Sequence, residues 1–221
     1  PLHKMPEMGV FTSDIREELL SGQADIAVHS WKDLPVDLEE GTEVAATIER
    51  ADSRDVLIFK KNSFKKKKIQ IFTSSPRRQE NLSTFLKQAL PFETSSLSFC
   101  DIRGNILTRF QKLQDSKADG LVIAKAAIDR LLSPKSESTK ELNSFKNELG
   151  EFLWMVIPCS QNPCAPGQGA LAIEVKSGNT KIIELLNEIN NLDIFKDVED
   201  EREKLKKYGG GCHQKIGVSI E

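Results

Sequence analysis

The sequence predicts an α/β protein, because strand-like and helix-like segments alternate along the chain. Ile69 to Thr73 and Leu121 to Ala124 have the length and apolar content of buried strands. Each is followed by a stretch of helical periodicity, and the first of these stretches carries Leu82, Phe85 and Leu86 on one face. Such alternation is typical of α/β folds, and it favours parallel pairing of neighbouring strands.

The first sixty residues are predicted to begin with a helix and to continue with strands. Thr12 to Asp14 supply N-cap candidates for the helix, and Gly22 ends it. Ala24 to Val28 has the pattern of a short buried strand, and Leu34-Pro35 breaks the chain into a loop after it. Two further strands are expected, at Val44 to Ile48 and at Val56 to Phe59.

Helix starts are well marked in the middle of the chain. Ser75 is placed to cap a helix whose first residue is a proline, the position at which the missing N–H costs nothing. A strand over Leu97 to Ile102 leads into a second helix, which carries Phe110 and Leu113. A third helix is expected to run through Leu131.

The last third of the chain is predicted to be more polar. Residues 133–150 are rich in Ser, Lys, Glu and Asn, which indicates a polar connection or a weak surface helix. The expected elements after it are a strand at Gly169 to Val175, a helix at Lys181 to Ile189 and a charged helix at Asp197 to Lys207. Ile216 to Ile220 has the pattern of a strand that starts and stops, and the chain opens with Pro1, so we expect both ends to be cut.

The composition is that of a globular protein and excludes several classes. Of 221 residues, 38% are hydrophobic and 29% charged, and the net charge of −2 argues against a general nucleic-acid binder. The basic run Lys65 to Lys68 has no binding motif around it and is interpreted as a solvated hairpin or loop. No apolar run approaches the roughly 20 residues that span a bilayer.

The cysteines are few and irregularly spaced. The chain has four of them, with no Cys-x-x-Cys pair, and three histidines that give no zinc pattern. A disulfide framework is not expected in a domain of this size with so few cysteines. A reducing, cytoplasmic setting fits better, and no metal site is predicted.

Arginines cluster at the predicted strand-to-helix junctions. Thr73 to Ser75 and Arg103 to Asn105 are natural anion sites, because helix N-termini expose unpaired N–H groups and favour negative charge. The arginines near such junctions are Arg77, Arg78, Arg103, Arg109 and Arg130. Any one of them could be solvated or paired with a nearby glutamate. As a set, they favour a cleft that binds carboxylates or phosphates, since each guanidinium matches a carboxylate with two parallel hydrogen bonds.

Two further positions could carry chemistry. Asp33 follows a predicted strand, where its carboxylate could accept substrate N–H groups, stabilise a cation or move protons, and a turn-capping aspartate is the equal alternative. Lys32 beside it could contact an anion or be a surface charge. Cys212 follows three glycines that let a loop approach a ligand closely, so it is either a reactive thiol or a plain loop cysteine.

Taken together, these segments resemble the hydroxymethylbilane synthase family, also called porphobilinogen deaminase. They occur in the order of that family, cover most of the chain and are jointly specific. The matching stretches are Ala24 to Pro35, Thr73 to Gln79, Ile102 to Asn105 with Thr108-Arg109, Ala165 to Glu174, and Gly210 to Cys212 with Ile216-Gly217.

The resemblance implies an α/β fold with two periplasmic-binding-protein-like domains and a truncated third α+β domain that carries the cofactor cysteine. Residues 1–50 are then domain 1 without its N-terminal strand and helix, and residues 51–164 are domain 2. Residues 165–190 return into domain 1, and residues 191–221 begin domain 3 with the cofactor loop.

The resemblance also implies an activity of tetrapyrrole biosynthesis. Four porphobilinogens are joined head to tail, with loss of ammonia, on a dipyrromethane held by a thioether to Cys212. Asp33 is then the catalytic residue. The cofactor contacts implied are Cys212, Lys32, Ser30, Thr73, Ser75, Arg77, Arg78, Arg103 and Gly104. The substrate contacts implied are Asn105, Arg109, Ala124, Arg130 and Gln168. Every pyrrole unit carries two carboxylates, which agrees with the number of arginines.

Other interpretations stay open from the sequence. The piece could be catalytically impaired, or it could be a non-enzymatic α/β module that binds a polyanion, in which case Cys212 is dispensable. The natural protein could also be fused to another tetrapyrrole enzyme. We expect a cytoplasmic monomer whose partners are porphobilinogen and the growing pyrrole chain, with no nucleic acid and no membrane.

Overall fold

The computed structural model describes residues 10–38, 40–136, 139–209 and 215–219, and in residues 10–13 it describes the backbone alone. The chain divides into two compact units. Unit 1 contains residues 10–38, 40–53, 165–209 and 218–219. Unit 2 contains residues 54–136, 139–164 and 215–217.

Within the described residues, the helices are α1 (Val10–Ser21), α2 (Pro76–Ala89), α3 (Ile106–Asp115), α4 (Lys125–Leu132), α5 (Lys140–Leu149), α6 (Thr180–Asn187) and α7 (Leu192–Lys207). The strands are β1 (Ala27–Ser30), β2 (Thr42–Ala46), β3 (Asp55–Lys60), β4 (Lys68–Phe72), β5 (Ser96–Cys100), β6 (Gly120–Ala124), β7 (Phe152–Ile157) and β8 (Leu171–Lys176). Single 3-10 turns cover Trp31–Asp33 and Lys61–Ser63. This mixture confirms the predicted α/β class. None of the helices in the described ranges is long and apolar enough to cross a membrane.

Unit 1 is built on a three-stranded antiparallel sheet in the order β1-β8-β2. One core cluster joins Trp31 and Leu34 to Ala172 of β8 and Val198 of α7. A second cluster lies between the sheet and α6 and contains Val175 and Leu186 among others. Because α7 packs into the first cluster, residues 192–207 are grouped with unit 1, and the third domain expected from residue 191 onward stays a prediction.

Unit 2 is built on a five-stranded sheet in the order β5-β4-β6-β3-β7. Strand β4 runs parallel to both β5 and β6, as predicted. Strand β3 runs antiparallel to β6 and β7, and unit 1 has no parallel pair among its described strands, so the prediction of parallel pairing is wrong there. Apolar periodicity identifies strands but carries no information about their direction.

The two faces of the unit 2 sheet are covered by different helices. Alternate residues of β3 and β6 pack on α3, α4 and α5 on one face, with Phe110 and Phe145 in edge-to-face contact at 4.8 Å. The other residues of those strands pack with Leu82 and Leu86 of α2. Burial on both faces explains why β3 and β6 are continuous apolar runs.

Three predictions about elements need correction. The polar stretch 133–150 contains the regular helix α5, whose Leu142, Phe145 and Leu149 are buried at helical spacing, so it is no weak surface helix. Strand β7 was not predicted at all. Residues 216–219 form no strand. In α5 the buried stripe is narrow, and the charged residues between its members dominate the composition of the segment.

Candidate functional site

Three parallel strands of unit 2 end at one edge of the sheet. Strands β5, β4 and β6 are neighbours in that order, and each leads through a junction into α3, α2 and α4, respectively. The helix N-termini therefore lie along one edge, where their unpaired N–H groups favour anions. This arrangement brings the predicted junctions at Thr73 to Ser75 and Arg103 to Asn105 together.

The junction before α2 is held to the junction before α3 by one backbone hydrogen bond and by two bonds of the Ser74 hydroxyl. Thr73 donates its N–H to the carbonyl of Cys100 at 2.9 Å. The Ser74 hydroxyl donates to the carbonyl of Ile102 at 2.7 Å and accepts its N–H at 2.8 Å. Ser75 caps α2, as predicted, by accepting the N–H of Arg78 at 3.4 Å. The loop geometry at this edge is thus set by side chains that the sequence places next to the arginines.

The junction before α3 requires a glycine. Gly104 has φ +122°, and a Cβ there would lie 2.8 Å from Cγ2 of Thr108. The next residue, Asn105, caps α3 by accepting the N–H of Thr108 at 2.8 Å through its side-chain oxygen. Arg109 donates from Nε to the carbonyl of Gly104 at 2.6 Å, which orients its guanidinium along this junction.

Arg77 and Arg78 are buried, and both bind the carboxylate of Asp55. Arg78 forms a two-pronged pair, with Nη2 at 2.7 Å from Oδ1 and Nε at 2.9 Å from Oδ2. Arg77 Nη2 lies 2.8 Å from Oδ2, and Asn162 donates to the same oxygen at 2.8 Å. Asp55 begins β3 directly opposite Ala124, the last residue of β6. The carboxylate is therefore at the same edge of the sheet as the helix N-termini.

The charges of this cluster do not balance. Burial alone would raise the pKa of Asp55, but the charges and hydrogen bonds of Arg78 and Arg77 hold that pKa far below its usual value. The aspartate is consequently ionised at neutral pH. One carboxylate between two guanidinium groups leaves a surplus positive charge in a buried place.

Arg109 adds to this surplus. Its pKa is lowered by burial first, and then by the positive charges of Arg78 and Arg103. In the described part of the chain neither Arg103 nor Arg109 forms an ion pair with a carboxylate. Positive charge that no described carboxylate pairs therefore lies beside the N-terminus of α3, an arrangement that can bind an anion.

Arg130 and Ala124 stand at different points of the next junction. Ala124 is buried and precedes α4, where it makes no side-chain cap. Arg130 is exposed in the last turn of α4. Among the described residues no contact joins Arg130 to Arg78, Arg103 or Arg109, so its predicted substrate role stays a prediction.

In unit 1, Lys32 and Asp33 lie on a turn between the buried residues Trp31 and Leu34. Trp31 and Leu34 are each only 2% exposed, and the Trp31 ring packs on Phe195 of α7 at 5.1 Å. Between these anchors Lys32 is half-buried and Asp33 is exposed. The buried residues on each side thus direct the intervening polar residues outward.

Ser30 and Gln168 flank this turn in different ways. Ser30 is the last residue of β1 and pairs with Leu171 of β8. Gln168 is buried, and its Nε2 donates to the carbonyl of Ser53 at 2.6 Å. Its own carbonyl accepts Nε of Arg50 at 3.1 Å. The structure therefore gives the predicted substrate residue Gln168 a bond to the backbone of unit 1.

The predicted cofactor residue Cys212 lies outside the described residues. The chain just beyond it belongs to unit 2, where Lys215 pairs with Glu80 of α2 at 2.8 Å. A Cβ on Gly217 would collide with the Pro163 carbonyl oxygen and would lie 2.9 Å from Cδ of Arg77. Gly217 is therefore packed against Pro163 and the buried Arg77.

Sequence reasoning missed Asp55 and Asn162. Asp55 is 1% exposed and Asn162 is also 1% exposed, although both residue types are usually on the surface. A carboxylate directly before the apolar run Val56 to Phe59 was a usable signal for Asp55. Asn162 lies in an irregular segment, and nothing local distinguishes it.

A family model matches residues 1–184, and its description is "Porphobilinogen deaminase, dipyromethane cofactor binding domain". The chain is 36% identical to the porphobilinogen deaminase of Syntrophomonas wolfei, over 100% of this chain and 65% of that protein. It is 37% identical to the porphobilinogen deaminase of Desulfitobacterium hafniense, over 99% of this chain and 64% of that protein. The chain thus spans a little under two thirds of the length of these curated relatives.

Solved structures give more distant similarities. One is an ancestral cationic amino acid solute binding protein, 13% identical, with 90% of this chain and 70% of that chain covered and a TM-score of 0.41.

Proposed function

Because the chain belongs to the porphobilinogen deaminase family, we propose that the protein of which it is part is a hydroxymethylbilane synthase of tetrapyrrole biosynthesis. In this reaction four porphobilinogens are joined head to tail. Each addition forms one carbon–carbon bond and releases one ammonia. Both the substrate and the growing chain carry two carboxylates on every pyrrole ring.

The observation that carries the proposal is the surplus of positive charge at one edge of unit 2. Burial lowers the pKa of Arg109, and the positive charges of Arg78 and Arg103 lower it further. A protein tolerates such repulsion when a polyanion relieves it. The acetate and propionate groups of a pyrrole chain are carboxylates of the kind that guanidinium forks bind.

The residues present also fit a covalent dipyrromethane. When it is attached to Cys212, this group supplies the pyrrole at which the chain grows. Arg103, Arg109 and the N–H groups before α2 and α3 would bind its carboxylates, and Arg77 and Arg78 would contribute their charge. The packing of Gly217 against Arg77 supports this, because Cys212 is only five residues away along the chain.

Asp33 would act on protons and on developing positive charge. Its carboxylate is exposed on a turn whose neighbours are buried, so it can meet a substrate without moving the backbone. A carboxylate that accepts pyrrole N–H groups also offsets the positive charge that develops as ammonia leaves. Lys32 and Ser30 would contribute polar contacts from the same segment.

The test uses the full-length protein and a Cys212→Ser variant. Intact mass spectrometry of the wild type should show the sequence mass plus one dipyrromethane, and the variant should show the sequence mass alone. The wild type should consume porphobilinogen and release ammonia in equal amounts, and the variant should not. A wild type that binds porphobilinogen without releasing ammonia would instead favour the polyanion-binding alternative.

We further propose that the protein works as a cytoplasmic monomer that binds neither nucleic acid nor membrane. The net charge of −2 argues against a general nucleic-acid binder, and the described cysteines Cys100, Cys159 and Cys164 are free thiols, as expected in a reducing compartment. Light scattering of the full-length protein should give the mass of one chain, and a dimer mass would contradict it.

A further inference from the structure

Arg202 of α7 binds the backbone of the segment that carries Lys32 and Asp33. Its Nη1 donates to the carbonyls of Trp31 at 3.2 Å and Leu34 at 3.3 Å. Its Nη2 donates to the carbonyl of Val36 at 3.4 Å and also to that of Pro35. One guanidinium therefore serves four carbonyls within six consecutive residues.

The Trp31 carbonyl also accepts the N–H of Leu34 at 3.2 Å, but among the described residues no backbone N–H donates to the carbonyls of Leu34, Pro35 and Val36. After the single turn at Trp31–Asp33 the segment is irregular, and Pro35 has no N–H to donate. Partly buried carbonyls without a donor are costly. Apolar burial of Trp31 and Leu34 fixes two points of the segment, but it does not fix the direction of the peptide groups between and after them.

We propose that Arg202 is a positioning residue for the reaction, which holds residues 31–36 so that the carboxylate of Asp33 keeps one orientation. The inference rests on the proposed role of Asp33 and adds a residue that touches neither substrate nor cofactor. Lysine could not replace the arginine fully, because a point charge on a flexible stem cannot serve four carbonyls in one plane.

The residue before Arg202, Glu201, binds a second loop that packs against the same segment. Glu201 is 1% exposed, pairs with Arg50 at 3.0 Å and accepts the N–H of Gly167 at 2.9 Å. Gly167 has φ +75°, and a Cβ there would lie 3.1 Å from the N atom of Lys32. Two consecutive residues of α7 therefore hold both segments: Arg202 binds residues 31–36, and Glu201 binds the loop at Gly167, which packs against the backbone of Lys32. This is the arrangement expected where a helix fixes the position of a turn.

The experiment compares Arg202→Ala, Arg202→Lys and a matched control, Lys206→Ala, in the full-length protein. Lys206 lies one helical turn further on α7, is 59% exposed and pairs with Asp37, so it shares the helix but not the contacts. Steady-state turnover of porphobilinogen is measured per cofactor-loaded molecule, with loading taken from intact mass. Hydrogen exchange of the amides of residues 32–34 is measured in parallel.

We expect Arg202→Ala to lower kcat by about 100-fold, the size of effect produced by a misplaced catalytic group, with KM within about threefold of wild type. Arg202→Lys should recover part of kcat, to about tenfold below wild type. Lys206→Ala should stay within about twofold, as expected for an exposed pair. Exchange of the amides of residues 32–34 should accelerate in Arg202→Ala and remain unchanged in the control.

Three results would overturn the inference: kcat within about twofold of wild type in Arg202→Lys and Arg202→Ala, a rise in KM with kcat unchanged, or unaltered hydrogen exchange in residues 32–34. If Arg202→Ala does not fold, the lysine variant decides by the same criteria. Wild-type protein without turnover would refute the proposed function alone, and the exchange comparison would still decide whether Arg202 holds the segment.

Discussion

The two units differ in how they place the charged residues of the candidate site. In unit 2 the charged residues stand at the ends of parallel strands, where helix N-termini and Asp55 hold arginines close together. In unit 1 all strand pairs described are antiparallel, and one exposed carboxylate stands on a turn between two buried anchors. Unit 2 concentrates positive charge through a shared sheet edge, and unit 1 isolates a single negative charge through hydrophobic packing.

This difference in burial indicates which charged residues can be substituted without loss of the fold. The arginine pair of unit 2 belongs to both the structure and the site, since Asp55 is buried between its members. The exposed Asp33 of unit 1 has no such structural duty. Substitutions that separate activity from stability should therefore be found in unit 1, and substitutions that change both should be found at the start of β3.

The largest expected effect is on turnover, from Asp33→Asn. Loss of a carboxylate that handles protons should lower kcat per cofactor-loaded molecule by about 10²- to 10⁴-fold. The melting temperature should be unchanged because the side chain is exposed. Asp37→Asn, an exposed aspartate of the same loop, is the control. A kcat for Asp33→Asn close to that of the control would remove Asp33 from the mechanism.

The next largest effect should be on the stability of unit 2, from Asp55→Asn. Removing one partner of a buried ion pair leaves the two arginines uncompensated, and the expected cost is about 3–5 kcal/mol in the free energy of unfolding. Denaturant titration followed by circular dichroism measures it. Asp129→Asn breaks only the half-exposed pair with Lys125 and should cost less than about 1 kcal/mol. Equal losses of unfolding free energy in the two variants would contradict the view that Asp55 neutralises buried arginines.

The same carboxylate predicts how stability depends on pH. The folded-state pKa of Asp55 is held below its ordinary value of 3.8. Its contribution is therefore complete above the unfolded-state pKa and is lost as the pH falls from there towards the folded-state pKa. Unfolding free energies measured between pH 6 and pH 2.5 should fall more steeply for wild type than for Asp55→Asn. Parallel curves would show that other carboxyl groups cause the acid sensitivity.

A smaller effect, on substrate affinity, is expected from Arg109→Gln. The lost hydrogen bond to a charged group is worth about 1.5–3 kcal/mol, so KM for porphobilinogen should rise about tenfold or more. Stability should change little, because the loss of the hydrogen bond to the Gly104 carbonyl is offset by relief of the repulsion from neighbouring cations. Lys87→Gln, exposed in the last turn of α2, is the control. An unchanged KM in the Arg109 variant would mean that the carboxylates bind elsewhere.

The smallest effect should come from Gly217→Ala. The added methyl group would meet the Pro163 carbonyl and Arg77, and such overpacking costs about 1–3 kcal/mol. Gly150→Ala, where no atom lies within 4 Å of the new Cβ, should be neutral or slightly stabilising. Thermal unfolding compares the two. Equal melting temperatures would show that Gly217 does not pack on Pro163 and Arg77.

Local chemistry allowed much of the fold to be predicted. The cap at Ser75 followed by a proline, the apolar strand β6 and the stripe of α2 were all visible, because caps and periodicity depend on residues a few positions apart. Strand direction, strand β7 and the buried face of α5 were not, because they depend on partners far along the chain.

By itself the sequence indicated which residues have the chemistry for such a site: the arginines beside helix starts, the aspartate before a Leu-Pro turn and the glycine-flanked cysteine. The tertiary structure alone decided which arginines are neutralised and which are not. Asp55 is 22 residues from Arg77, and Arg202 is 171 residues from Trp31. Burial and pairing at such separations arise only when the sheet and helices pack, since no local pattern encodes the distance between two side chains on different elements.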